Sequence, residues 1–358
     1  MPTTKPFLTF CVPTWNRQRE VEVCIRSIAE QVKTSLRSIT IIVQDDCSTD
    51  GTRSSIEALQ REYPFIEYRC TEKRTDYSAA FKSLFTAADS EWVWTFGDDD
   101  QLLPNGLETV LKVLDTSDLE FLHCVEKGRE AGTNKLYRGK LLNLCNVYGW
   151  LDMTGFITGN VVRCDRLREA AATPRWNLYA RSAFVQSCAL LELLHDKECA
   201  LLDVPVVKTQ NESQTQESID RWAADKIGER YLMVADAIDA MFNEGILKNK
   251  LRPVFFRYTD YHLWNRHVAY FVDDYLKRGR IQPHQAWAHN IKMATFIDDD
   301  ELAGAVASSI DGLQSLCMLH AYMSATLDGI KGEINALTEV HGKNVYPWSI
   351  VIPHGSTK

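Results

Sequence analysis

Trp92-Val-Trp-Thr-Phe-Gly-Asp-Asp-Asp-Gln-Leu-Leu-Pro104 is the stretch from which the fold of this chain can be read. Its first five residues form the apolar, partly β-branched run of a strand buried on both faces, and Pro104 suits the first turn of a helix. Between them stand Asp98, Asp99 and Asp100. Carboxylates crowded at a strand end repel one another and are costly unless a divalent cation or water takes up their charge. A hard cation held by one or two carboxylates keeps open positions for phosphate oxygens. An isolated Asp triplet also reads as a solvated acidic turn, so the flanking sequence has to decide between the two.

Outward from the triplet, strand and helix signals alternate. Leu8 to Val12 and Ile39 to Val43 read as buried strands, and Val21, Cys24, Ile25 and Ile28 between them repeat at helical spacing. Asp50-Gly51-Thr52 opens a helix bearing Ile56 and Leu59, Phe65 to Cys70 is a strand, and Asp76 caps a helix carrying Phe81, Leu84 and Phe85. After Pro104 come a helix with Leu107, Val110, Leu111 and Leu114 and a strand from Leu119 to His123. Residues 124–150 read as a polar excursion, with strand character again at Ile157 to Val162 and Leu201 to Val207. Strands separated by helices of this length imply right-handed βαβ units, hence an α/β fold with a mainly parallel sheet flanked by helices. Such sheets bind ligands beyond the carboxyl ends of their strands. The loops Pro13 to Arg17, Asp45 to Gly51 and Gly97 to Leu103 leave those ends and are expected to meet in one crevice.

At 358 residues, about two domains are expected. A boundary falls near Asn211-Glu-Ser-Gln-Thr, because helical periodicities replace the alternation beyond it; this gives an α/β domain over 1–213 and an all-helical domain over 214–358. The net charge of −8 argues against broad binding to nucleic acid. No apolar run reaches the length of a membrane span, and the N-terminus lacks a signal-peptide core. Ten cysteines without a CxxC pair point to a reducing cytoplasm and no structural zinc.

Three segments, in order and spacing, go beyond a generic α/β pattern: Val12-Pro-Thr-Trp-Asn-Arg17, Val43-Gln-Asp-Asp-Cys-Ser-Thr-Asp-Gly-Thr52, and Phe96-Gly-Asp-Asp-Asp-Gln-Leu-Leu-Pro104. They resemble the VPxYNR, VVDDxSxDGT and DxD patterns of the inverting family-2 glycosyltransferases with the GT-A nucleotide-sugar fold. The resemblance covers about residues 7–210. It implies that Pro13, Thr14 and Asn16 wall the nucleoside, with Arg17 as a supporting or phosphate-side cation. It implies that Asp45 contacts the base, with Asp46 beside it, and that Asp76 binds the donor; Asp76 also reads simply as a helix cap. Counted back from Pro104, Asp99 aligns with the final DxD carboxylate, the Mn²⁺ or Mg²⁺ ligand. Asp100 follows it in the metal motif, and Asp98 takes a ribose or metal-water contact, since Gly97 occupies the first DxD position. The GDDD form resembles bacterial transferases of O-antigen and other surface glycans, including abequosyltransferase-like members.

On the acceptor side, Thr158-Gly159-Asn160 resembles the family segment below the donor sugar, with Gly159 allowing close approach; an ordinary strand start is the plainer reading. The family's Glu-Asp pair, which deprotonates the acceptor hydroxyl, should fall near residues 184–187, where the chain reads Phe-Val-Gln-Ser. Glu192 and His195 are the nearest replacements, followed by Asp152. A retaining mechanism, in which a donor phosphate oxygen takes the proton, and loss of activity both stay open.

The expected protein is a metal-dependent glycosyltransferase. Its expected partners are a UDP-, dTDP-, GDP- or CDP-linked sugar and a glycan or lipid-linked glycan acceptor, in the cytoplasm or at the inner membrane face. The rivals are a nucleotidyltransferase, which would want a glycine-rich loop after the first strand, and a binding protein on a degenerate transferase fold. Sugar transfer to a modified nucleic-acid base is a third, kept alive by Lys248, Lys250, Arg252 and Arg257.

Overall fold

The computed structural model describes residues 5–209, except 117, 129–131, 149–152 and 183, together with 233, 237, 240, 241 and 243–247. The chain divides into two compact units, Met1–Gln214 with Ala240–Lys248, and Thr215–Asp239 with Asn249–Lys358. The helical domain expected over 214–358, its basic stretch and Asp152 lie wholly or almost wholly outside the described residues.

The described elements, in chain order, begin with β1 (Leu8–Thr14), α1 (Gln18–Val32), β2 (Ile39–Asp45), α2 (Thr52–Glu62), β3 (Ile66–Cys70), α3 (Tyr77–Ala87) and β4 (Trp92–Thr95). There follow β5 (Asp100–Leu102), α4 (Gly106–Asp115), β6 (Phe121–Glu126), β7 (Leu136–Lys140) and α5 (Leu141–Tyr148). A 3₁₀ turn at Ile157–Gly159 leads into β8 (Asn160–Arg163), then α6 (Cys164–Ala172), α7 (Trp176–Tyr179), α8 (Val185–Leu194) and β9 (Glu198–Thr209). Among the described residues the strands form one sheet in the order β3-β2-β1-β4-β8-β6-β9-β5, with β7 also on β9. The β3-β2-β1-β4 side is wholly parallel. Beyond β4 the sheet is mixed: β8 runs antiparallel to β4 and β6, while β6 and β9 are parallel.

Continuous apolar runs place β1, β2 and β4 in the centre, buried on both faces, while α1 turns Val21, Cys24, Ile25, Ile28, Ala29 and Val32 inward. Phe10 stacks on Trp94 at 5.0 Å between centroids, and Phe96 meets both rings edge-on. Each such pair adds roughly 0.5–1.5 kcal/mol beyond area burial. This aromatic block stands directly before Gly97 and holds the turn that carries the three aspartates.

Two expectations are corrected here. Residues 124–150 are not simply a polar excursion, since they contain the end of β6, all of β7 and α5. β7 is half exposed, so its sequence lacks a strong alternation. The loop expected over Gly97 to Leu103 also contains a strand, because Asp100, Gln101 and Leu102 pair antiparallel with β9 as β5. No helix among the described residues is long and apolar enough to cross a membrane.

Candidate active site

β1 and β2 end side by side, Thr14 opposite Asp45, and their loops are laced together. Asn16 sits at φ 49°, a left-handed conformation that asparagine tolerates better than most residues. Its N–H donates to Ser48 Oγ (2.8 Å), and its Oδ1 accepts from the Thr49 N–H (2.7 Å). Asp50 accepts from the N–H groups of Gln18 (3.2 Å) and Thr52 (3.0 Å), so one carboxylate satisfies the first turns of both α1 and α2. Burial works against its charge, and the hydrogen bonds from Thr52 and Gln18 prevail, lowering its pKa.

Asp45 is fully buried. It accepts from the Ser48 N–H (2.9 Å), Ser48 Oγ (2.6 Å) and Tyr68 Oη (2.6 Å), and so closes the turn after β2. Asp46 accepts from Thr71 Oγ1 (3.1 Å) and from the Thr75 N–H (2.8 Å) and Oγ1 (2.9 Å), tying down the loop after β3. In that loop the Arg74 guanidinium lies 3.5 Å from the centre of the Trp15 ring. Asp76 is the N-cap of α3 and accepts from the Ala79 N–H (2.8 Å) and Ser78 Oγ (2.6 Å), which lower its pKa.

The three aspartates do not point to one centre. Asp98 Oδ2 accepts from Thr14 Oγ1 (2.8 Å), and Asp98 Oδ1 accepts from Arg17 Nη1 (2.9 Å). The same nitrogen donates to Asp99 Oδ2 at 2.6 Å. Burial pushes the Asp98 carboxyl above the usual range, Arg17 pulls it back, and Asp99 raises it again. Burial opposes the Arg17 charge, and Asp98 and Asp99 outweigh it, so the guanidinium is held protonated. The Asp99 side chain remains 45% exposed. Asp100, at the start of β5, turns inward and accepts from Thr158 Oγ1, which in turn accepts from the Gly97 N–H (2.9 Å). Burial raises the Asp100 carboxyl most, the Thr158 hydrogen bond lowers it, and Asp99, Glu126 and Asp98 push it up again, to about 8.

Gly97 has a steric reason to be glycine. A Cβ there would lie 2.7 Å from Asp100 Oδ2 and 3.1 Å from both Asp99 Oδ1 and Thr158 Oγ1. The turn is therefore closed by the Thr158–Asp100 bridge and has no room for a side chain at the first DxD position.

Thr158 brings the acceptor-side segment against this turn. At Gly159 a Cβ would stand 2.6 Å from His123 Cε1 and 2.9 Å from the Cys124 carbonyl oxygen, so what approaches the glycine closely is β6. The N-terminal end of α8 is near this segment, with Gln186 Nε2 donating to the Gly155 carbonyl at 3.4 Å. Gln186 Oε1, Ser187 Oγ and Asn160 Oδ1 are buried and have no hydrogen-bond partner among the described residues. Glu192 is engaged elsewhere: it accepts from Thr173 Oγ1 (3.0 Å), Arg175 Nη1 (2.8 Å) and Tyr179 Oη (2.6 Å). His195 caps the far end of α8, its Nδ1 3.1 Å from the Glu192 carbonyl. At 1.5 Å per residue it lies about 13 Å along the helix from Gln186.

Sequence reasoning missed Thr158 as the hinge of the Asp turn, and also Glu126, which ends β6 and accepts from Thr209 Oγ1 (2.7 Å) across from Asp100. Thr158 stands in the Thr158-Gly159-Asn160 segment without a link to the Asp turn, and Glu126 in no motif; only the tertiary fold brings them to the site. Among the described residues no three His, Cys, Asp or Glu side chains converge as a metal cage. The donor set that remains, Asp99 with Asp98, suits a hard cation completed by water and phosphate oxygens. Those two carboxylates would hold it.

A wholly parallel half-sheet, with three laced loops and a carboxylate turn at its carboxyl edge, defines the GT-A class of α/β fold. Solved structures with this fold include S. aureus TarS 1-349 in complex with UDP-GlcNAc, at TM-score 0.57 and 16% identity, covering 88% of this chain and 92% of that one. Another is the mannosyltransferase PcManGT from Pyrobaculum calidifontis in complex with GDP-Man and Mn2+, at TM-score 0.50 and 16% identity, covering 90% and 86%. Residues 9–177 match the family Glycosyl transferase family 2. Abequosyltransferase RfbV of Salmonella typhimurium is 34% identical over 110 residues, 30% of this chain and 33% of that protein. The GalNAc(5)-diNAcBac-PP-undecaprenol beta-1,3-glucosyltransferase of Campylobacter jejuni is 31% identical over 137 residues, 38% and 43% of the two chains. The matched stretches thus span less than half the length of either relative.

Proposed function

We propose that this protein transfers a sugar from a nucleotide-diphosphate donor to a hydroxyl of a glycan or lipid-linked glycan acceptor. The observation that carries the reading is the Arg17–Asp98–Asp99 cluster, set by Thr14 at the carboxyl edge where the three loops meet. The match of residues 9–177 to family 2 and the names of the two relatives support it. The nucleoside lies against Pro13, Thr14, Trp15 and Asn16, over the turn that Asp45 closes. Asp76 keeps the start of α3 beside the donor, and Arg17 serves the diphosphate. Asp99, with Asp98, holds Mn²⁺ or Mg²⁺; when bound, the ion supplies Lewis-acid stabilisation of the charge on the departing nucleoside diphosphate. Thr158 fixes Asp100 and thereby the pitch of the turn. The buried amides and hydroxyl of Asn160, Gln186 and Ser187 bind neutral groups such as sugar hydroxyls, and being un-ionised they cannot serve as a general base.

The test is hydrolysis and transfer measured with a panel of UDP-, dTDP-, GDP- and CDP-sugars, with Mn²⁺ or Mg²⁺ and after chelation. One donor base should stand out, and chelation should abolish turnover. Turnover unaffected by chelation removes the metal part of the reading. A second reading, a binding protein on a transferase fold, draws on the absence of a carboxylate at Phe184 to Ser187. Tight binding of a sugar nucleotide without turnover on any acceptor would favour it.

A further inference from the structure

The Asp98–Asp99 pair already has a cation of its own. Arg17 Nη1 stands 2.9 Å from Asp98 Oδ1 and 2.6 Å from Asp99 Oδ2, a single nitrogen shared by both carboxylates. A divalent ion ligated by Asp99 would have to sit about 2.1 Å from a carboxylate oxygen. A guanidinium on these carboxylates would then face it at a few ångströms with like charge, and the two repel. The two cations therefore compete for the pair.

We infer that Arg17 is the exchangeable counter-ion of the Asp98–Asp99 pair, yielding the carboxylates only when a divalent cation and a diphosphate arrive together. The inference rests on the function proposed above and concerns how its site loads. The arginine backbone is anchored independently of its side chain: the Arg17 N–H donates to Thr52 Oγ1 (3.3 Å), and its carbonyl accepts from the Val21 N–H (2.9 Å). Asp98 keeps its orientation when Arg17 leaves, because Thr14 holds its other oxygen. Asp99 is the more exposed carboxylate and is the one an entering cation meets first. Once displaced, a partly buried guanidinium needs an anion, and a diphosphate matches its planar fork. A cation alone strands the arginine, and a diphosphate alone must compete with two carboxylates for it. Each ligand thus raises the affinity for the other by the same factor.

The probe is Mn²⁺ alone, titrated without nucleotide at mildly alkaline pH and followed by the EPR signal of the free ion. The proteins are the wild type, Arg17→Gln and Arg17→Lys, with circular dichroism to confirm folding. Arg17→Gln should bind Mn²⁺ on the order of tenfold or more tightly than the wild type, since it lacks the competing charge. Arg17→Lys, which keeps the charge on a flexible stem without the fork, should fall between, and it carries the test if Arg17→Gln does not fold. Inorganic pyrophosphate added without metal should bind Arg17→Gln more weakly than the wild type. Mn²⁺ affinity equal in all three proteins, or lower in the variants, overturns the inference and leaves the metal reading standing. No Mn²⁺ binding to any of them, even with UDP, GDP, CDP or dTDP present, overturns both.

Discussion

The two sides of β4 handle polarity in opposite ways. Toward β1, β2 and β3, the crevice is lined by carboxylates, and each is matched to donors: Asp45 to Ser48 and Tyr68, Asp46 to Thr71 and Thr75, Asp98 to Thr14 and Arg17. Toward β8 and the start of α8 lie the neutral buried side chains of Asn160, Gln186 and Ser187, and one oxygen of each has no partner among the described residues. A buried polar atom left unpaired costs about 1–3 kcal/mol, so those oxygens call for water or a hydroxyl-bearing ligand. One side manages charge, and the Asn160, Gln186 and Ser187 patch offers neutral hydrogen-bonding groups, the division that the proposed nucleotide-sugar donor requires.

The sharpest way to break that division is at Asp99, on the charged side. Asp99→Ala should reduce turnover by about 10²–10³-fold, roughly 3–4 kcal/mol of transition-state stabilisation. It should also abolish metal-linked tightening of nucleoside diphosphate binding in calorimetry. The fold should survive, since the side chain is nearly half exposed. Unchanged metal-linked affinity would move the cation elsewhere. Next in size is Glu192→Ala on the neutral side. It removes one of the two carboxylates that Arg175 pairs with, Glu244 being the other, and the partner of the buried Tyr179 Oη, so stability should fall by about 1–3 kcal/mol in a denaturant titration. Turnover per folded molecule should change less than about tenfold. A rate loss of about 100-fold at unchanged stability would make Glu192 a proton acceptor and undo the contrast between the two sides.

The charged side was the more legible in the sequence, for a physical reason. Its residues lie in three short runs, each following a strand of unbroken apolar residues, so periodicity alone puts Thr14, Asp45 and Asp98 at one edge. What those runs could not reveal was the pairing of partners 81 to 84 residues apart, which turns Arg17 toward Asp98 and Asp99. The neutral side is assembled by antiparallel and mixed pairing of β5, β7, β8 and β9. Its contacts, such as Thr158 with Asp100, depend on a topology that short, weakly alternating strands do not announce. Gly97 illustrates the gap. In the sequence it departs from the DxD pattern, and in the structure it is the residue that lets the Thr158–Asp100 bridge close.

That bridge supplies a pH test at the border between the two sides. The Asp100 carboxyl is raised from the ordinary carboxylate range to about 8, chiefly by burial. A raised carboxyl binds more protons folded than unfolded, so its contribution is fully present below about pH 4 and is lost as pH climbs through about 8. Asp100→Asn keeps an acceptor for Thr158 and removes the titration. Its stability should therefore decline less between those pH values than that of the wild type, with a gain of about 1–2 kcal/mol near neutrality. Parallel pH profiles of unfolding for the two proteins would show that Asp100 is ionised in the fold.

The smallest effect is expected at His195, and it tests how far the neutral side extends. His195 closes α8 through its backbone, which any replacement retains: its N–H donates to the Leu191 carbonyl (3.1 Å), and its carbonyl accepts from the Leu142 N–H (3.0 Å). The ring adds one local contact to the Glu192 carbonyl and, when protonated, a favourable charge at a helix C-terminus, worth about 0.3–1 kcal/mol. His195→Gln should thus shift stability by no more than about 1 kcal/mol. Turnover on a defined acceptor should fall less than about tenfold, because the ring lies about 13 Å along α8 from Gln186, out of reach of a hydroxyl bound there. A loss on the order of 10²-fold, with the acidic limb of the pH–rate profile displaced, would place the acceptor hydroxyl at the C-terminal end of α8 and make His195 its base. If neither His195 nor Glu192 matters, product NMR settles the remaining choice. Retention of the anomeric configuration assigns the acceptor proton to a donor phosphate oxygen. Inversion assigns it to another group of the chain, and Glu126, one strand from Asp100, is then the first carboxylate to replace.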